Sequence, residues 1–214
     1  MRRIVIAVIA SLALLVGAIP NSANAAASGW KIYSYNSSGR ALSSKPAPAG
    51  TGSIAEFDVL PTPDDALLAM KASGSPDSSI LGKTITATFS ITGTGVFTYW
   101  GEGTSDNPCA YPANTRLYFN TANGPFAYTK YWWANPDNAI LTVAPGIGTV
   151  TANVDPAMWS DWNGQFGTTD VAAFNDAASN PDLIGLSFGG GCFFESGVGI
   201  DGSATFKLLT FTIN

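Results

Sequence analysis

Thr84-Ile85-Thr86-Ala87-Thr88-Phe89-Ser90-Ile91-Thr92 alternates without a break: Ile85, Ala87, Phe89 and Ile91 fall on one face and the hydroxyl residues on the other. A period of two is the signature of a half-buried antiparallel strand, and no helical face collects these apolar residues. On both sides of this segment the chain repeats short candidates of the same kind: Ala66 to Lys71, Val96 to Trp100, Arg116 to Asn120, Tyr128 to Trp133, Ala139 to Val143, Thr149 to Val154, Ile184 to Phe188 and Thr205 to Ile213. Gly, Pro, Asn and Asp punctuate them, which predicts an all-β, two-sheet antiparallel sandwich of the jelly-roll kind. In the last candidate the apolar parity slips between Phe206, Leu208 and Leu209, Phe211, Ile213, the mark of a β-bulge or of burial on both faces. Only Val171 to Ser179, with Thr169 or Asp170 as cap, reads as a short helix.

The start of the chain has a different character. Met1-Arg2-Arg3, an apolar run from Ile4 to Ile19, and Ala23-Asn24-Ala25 have the layout of a signal peptide over residues 1–25, cleaved near Ala25. The run is shorter than the ~20 residues a membrane span needs, so the mature chain is expected to carry no span and to be secreted or periplasmic. Residues 26–53 hold a short strand, Trp30 to Tyr35, followed from Asn36 to Ser53 by a Pro-, Gly- and Ser-rich stretch that reads as a flexible segment. The sandwich is expected to occupy residues 54–214.

Composition narrows the chemistry. Only 12% of residues are charged while 46% are hydrophobic, which favours a folded core over disorder. There is no His, so His-based triads and most zinc sites are excluded. Loss of Arg2 and Arg3 with the leader leaves eight of the ten basic residues against fifteen acidic ones, a net charge of −7 over 189 residues. The remaining cations are spread singly, and nucleic acid is therefore not an expected partner. Cys109 and Cys192 are the only thiols and are expected to form one disulfide in an oxidising compartment. That bond would tie Asn107-Pro108-Cys109 to Gly189-Gly190-Gly191-Cys192, with the glycines allowing close backbone approach.

Aromatic residues crowd the middle of the chain: Tyr99, Trp100, Tyr111, Tyr118, Tyr128, Tyr131, Trp132, Trp133, Trp159 and Trp162. Sugar rings present apolar C–H faces on which Trp and Tyr stack, while Asn, Asp and Thr bond the hydroxyls. Strand alternation puts Tyr131 and Trp133 on one face and Trp132 on the other, so at least one of the three is expected to meet solvent or ligand. Trp100, Trp132, Trp133 and Trp162 are the candidate stacking residues. Three Glu occur in the chain, and two of them, Glu102 and Glu195, flank the cysteines. Brought together, they would form a carboxylate pair for glycoside hydrolysis. Asp106, Asn107, Asp137, Asn138 and Asp155 offer oxygen ligands for a structural Ca²⁺, although turn formation also explains them. Gly197 to Gly202 matches G-x-G-x-x-G in letters, but a strand and not a helix follows it, so it is no dinucleotide site.

Ala66-Leu67-Leu68-Ala69-Met70-Lys71, Leu81 to Ile91 and Gly202 to Leu209 resemble the early and closing strands of galactose-binding-like jelly-roll domains, the fold of many carbohydrate-binding modules of secreted bacterial proteins. The resemblance implies two antiparallel sheets and binding of a neutral polysaccharide or glycan. It carries over no individual binding residue, because Tyr99 to Phe188 matches no pattern of that family. Three functions follow as expectations: a non-catalytic carbohydrate-binding protein, a glycoside hydrolase using Glu102 and Glu195, and a structural envelope or matrix protein whose aromatics only fill the core.

Overall fold

The computed structural model describes residues 29–35, 41–72, 78–121, 126–135 and 139–214. The leader at residues 1–25, residues 36–40 of the Ser-rich stretch, and Asp137 and Asn138 lie outside the described residues.

Two antiparallel sheets face each other. The smaller has four strands in the order β10 (Gly146–Asn153), β5 (Thr84–Thr94), β14 (Ser203–Ile213) and β3 (Ala55–Val59). The larger has ten, its main path running β11 (Trp159–Asp161), β8 (Tyr131–Ala134), β7 (Asn114–Asn120), β12 (Leu183–Gly189), β4 (Asp65–Lys71), β1 (Trp30–Tyr35) and β2 (Leu42–Pro46). Off that path, β9 (Ile140–Thr142) pairs with β7, and β13 (Val198–Ile200) pairs with β4 and with β6 (Phe97–Tyr99).

The period-two pattern does what it predicts. Ile85, Ala87, Phe89 and Ile91 of β5 are all buried, and the intervening Thr and Ser residues form the outer surface. Opposite them lie Trp30, Ile32, Leu68, Leu117, Phe119, Ile184, Leu186 and Phe188 of the larger sheet. Phe206 is the centre of the packing: its ring stacks on Phe89 (4.9 Å between centroids) and Phe57 (5.3 Å), and meets Phe188 edge-on at 5.2 Å. The slipped parity of the last strand is a bulge between Leu208 and Thr210 against β5. It inserts one residue, so that Phe206, Leu208 and Phe211 all enter the core. The helix α1 (Val171–Ser179) starts at Asp170, whose Oδ1 accepts the Ala173 amide at 3.0 Å. Its buried Phe174 meets Trp132 at 5.0 Å and Phe119 at 5.9 Å, closing one end of the core.

Three expectations need correction. The stretch read as flexible contains β2, which pairs with β1 from Tyr35↔Leu42 to Lys31↔Pro46. All five of its residues are exposed, so it carries no alternation to reveal it, and an edge position tolerates Pro46. The sandwich also begins before residue 54, because Trp30 and Ile32 are core residues. Finally, Tyr128–Lys130 is one turn of 3₁₀ helix, and the strand expected from Tyr128 starts only at Tyr131.

Candidate functional site

The larger sheet has a second apolar layer on its outer face. Leu67, Ala69, Tyr118, Trp133 and Leu183 are buried there, with Tyr33, Tyr35, Tyr131 and Phe194 packed around them. Alternation in β8 sends Trp132 into the inter-sheet core and Trp133 outward beside Tyr118, its cross-strand partner, at 5.3 Å between rings. A face this apolar needs a cover, and two loops supply it.

The first cover is the segment after β12. The Cys109–Cys192 disulfide anchors it, with 5.0 Å between the Cα atoms. Asn107, itself buried, reinforces the anchor: its Nδ2 donates to the carbonyls of Trp100 (3.0 Å) and Gly190 (3.2 Å), and its Oδ1 accepts the Cys192 amide (2.7 Å). Gly191 has a φ of +59°, and a Cβ there would collide with Asn107 Oδ1, which is why the run is glycine. Beyond the cystine, Phe194 lies under the guanidinium of Arg116, 4.1 Å from the ring centroid. Arg116 is buried, with its Nε donating to Asn114 Oδ1 (3.1 Å) and Nη1 to Asn135 Oδ1 (2.8 Å). Burial lowers its pKa to about 10, which leaves it cationic at neutral pH.

The second cover is the turn after β11. Asp161 Oδ1 accepts the amides of Asn163 and Gln165, both at 2.9 Å, and its carbonyl accepts the Gly164 amide at 2.9 Å. Gly164, at φ +74°, completes the reversal. The product is a fixed platform for Trp162, which is 42% exposed and meets Trp133 at 5.6 Å with the ring planes 62° apart. Phe126, 59% exposed, and Tyr131 pack against Trp162 at 5.9 and 5.6 Å.

Between the two covers opens a cavity of about 390 Å³. Trp133 forms part of its floor, and Trp162, Tyr128 and Phe193 stand exposed at its rim. Asn163 adds an amide, and Glu195, buried, is the one acidic group among the described lining residues. Burial first, and then the charge of Glu195, pushes the Tyr118 hydroxyl well above its ordinary pKa and raises Tyr131 in the same way, so both phenols stay protonated.

The structure thus gathers some of the expected residues and disperses others. Trp162 and Trp133 share the cavity. Trp100 does not line it, but packs its ring 6.0 Å from that of Phe193, which does. Trp132 is almost fully enclosed, with its Nε1 donating to the Thr129 carbonyl, and does not line this cavity but borders a separate one across the Asp161 turn. Of the trio in β8 it is the half-buried Tyr131 that reaches solvent. Glu102 is exposed on the turn after β6 and does not line the cavity that holds Glu195, so the two do not form a pair within it. Among the described residues no group of three His, Cys, Asp or Glu side chains is placed to hold a metal ion. Of the proposed Ca²⁺ ligands, Asn107 is committed to backbone and Asp155 Oδ1 accepts the Ala157 amide. Phe193, Phe194 and Asn163 carry no periodic or motif signal of a site in the sequence beyond the aromatic pair directly after Cys192.

Among the described residues no helix is long and apolar enough to cross a membrane. Compared with known proteins, the chain matches no family and no curated relative, so function rests on the geometry of the cavity.

Proposed function

We propose that the protein is a non-catalytic binder of neutral carbohydrate and that the ligand lies in the cavity beneath Trp162. The observation that carries this reading is the exposed Trp162 ring, held by the Asp161 turn over a cavity whose rim adds Tyr128 and Phe193 and whose interior adds the Asn163 amide and the Glu195 carboxylate. Rings supply stacking surface for sugar C–H faces, and the amide and carboxylate take hydroxyl hydrogen bonds. No Lys or Arg is among the described lining residues. The nearby cation, Arg116, is engaged by Asn114, Asn135 and Phe194, which favours an uncharged ligand over an acidic one. Hydrolysis by a carboxylate pair receives less support, because the cavity contributes a single carboxylate. The disulfide and the leader-like residues 1–25 support action outside the cytoplasm.

Calorimetric titration against neutral glucans, xylans, mannans and galactans tests the proposal. Wild type should bind at least one of them, and Trp162→Ala should weaken that binding at least about tenfold, the equivalent of roughly 1.4 kcal/mol, with the folded circular-dichroism spectrum retained. Absence of binding across the panel sinks the reading.

A further inference from the structure

We infer that the site takes a chain of several sugar units in two adjoining subsites, with Tyr128 and Asn163 forming the saddle between them; this rests on the carbohydrate reading above. A second cavity, of about 530 Å³, lies on the other side of the Asp161–Gln165 turn and shares Tyr128 and Asn163 with the first. Each has the size of a small-molecule pocket, roughly 300–1,000 Å³.

The second cavity repeats the chemistry of the first. Phe166, 44% exposed, supplies a ring, Gln165 an amide and Thr169 a hydroxyl, where the first cavity has Trp162, Asn163 and Glu195. A repeated ring-plus-polar unit suits a ligand that itself repeats. One tight turn carries Trp162 into the first cavity and Gln165 and Phe166 into the second, and the two amides held by Asp161 Oδ1 fix the spacing between them. Such a prearranged pair of subsites loses little freedom on binding, and occupation of one raises the effective concentration of sugar at the other. The described linings of both cavities include Glu195, Asp161 and Asp170 and no Lys or Arg, so the chain that fits carries no acidic groups.

The test is calorimetry of the full disulfide-bonded protein against β-1,4-glucan, β-1,4-xylan, β-1,4-mannan and α-1,4-glucan fragments of one to six units. In the series that binds, the hexamer should bind at least about tenfold more tightly than the disaccharide. Phe166→Ala should weaken the hexamer about tenfold and leave the disaccharide unchanged, whereas Trp162→Ala should weaken both. Gln165→Ala serves as a second far-side variant that leaves the ring packing intact. Equal affinity for one unit and six, or a hexamer indifferent to both Phe166→Ala and Gln165→Ala, overturns the two-subsite arrangement while leaving carbohydrate binding in place. No binding in any series, nor to any member of the polysaccharide panel above, removes the carbohydrate reading itself.

Discussion

The two outer faces of this sandwich have opposite characters. On the smaller sheet, Thr86 and Thr88 of β5 stand opposite Thr151 and Thr149 of β10, with hydroxyl oxygens 3.1 Å apart, and opposite Thr212 and Thr210 of β14. The ion pair between Lys207 and Glu56 adds charge nearer the β3 edge, and the face is left to water. The larger sheet instead places Leu67, Ala69, Tyr118 and Trp133 outward and needs two loops to cover them. The inter-sheet core is complete without those outer residues, so the second layer is extra apolar surface, and the seam where its covers meet is the cavity. In this fold the cavity beneath Trp162 opens where the alternation is broken by apolar residues on the outward side.

If the covered face depends on its cystine, the Cys109→Ser/Cys192→Ser double variant should lose the most stability. Opening a loop of 83 residues corresponds to about 4.5 kcal/mol of chain entropy, read as a lower denaturation midpoint. A loss under about 1 kcal/mol would instead assign the anchoring to Asn107 and to the Arg116–Phe194 contact. Next, Trp133→Ala should cost about 3 kcal/mol in the same measurement, because it empties a buried ring from the outer layer. A value near zero would mean that this layer is surface and not core.

A smaller effect concerns Asp65, which is buried on β4 with the Ser34 hydroxyl donating to its Oδ1 at 2.6 Å. Burial raises its pKa above the ordinary 3.8, against the lowering effects of Ser34 and Lys45. A carboxyl that holds its proton more tightly folded than unfolded contributes fully at pH below 3.8, and that contribution is lost as pH rises through the raised value. Asp65→Asn should therefore flatten the fall in unfolding free energy between acid and neutral pH; a fall as steep as that of wild type would contradict the assignment. On the plain face, Thr88→Val should change stability by less than about 0.5 kcal/mol and leave carbohydrate titrations untouched. A larger loss would show that the exposed hydroxyl pairs are structural.

Much of this was legible in the residues themselves. The alternation of β5, a cap at Thr169 or Asp170 and the slipped parity near Leu208 are local signals, each set by a few neighbouring side chains, while the disulfide follows from there being only two Cys. Strand β2 was not legible, because an edge strand exposed on both faces needs no pattern. The site was half legible. Trp162 could be placed on a turn from its flanking Asp161 and Gly164, but the fate of Trp132 and Trp133 depended on how many apolar layers the larger sheet has. Reading one layer implies that one of those rings is open; two layers bury both and leave Tyr131 at the surface. The reach of Phe193 and Phe194 across that face is set by the cystine and by Arg116, contacts between residues far apart in the chain.

Strand β14 lies between β5 and β3, two segments made far earlier in the chain. While residues 203–213 are still unmade, β5 has only β10 beside it, β3 has no neighbour in its sheet, and Phe57 and Phe89 lack the ring of Phe206 that joins them. The smaller sheet is therefore zipped shut by a strand that comes after all of its partners in sequence. Closure of that sheet waits on pairings between residues far apart in the chain, so it belongs to the slow, non-local part of folding.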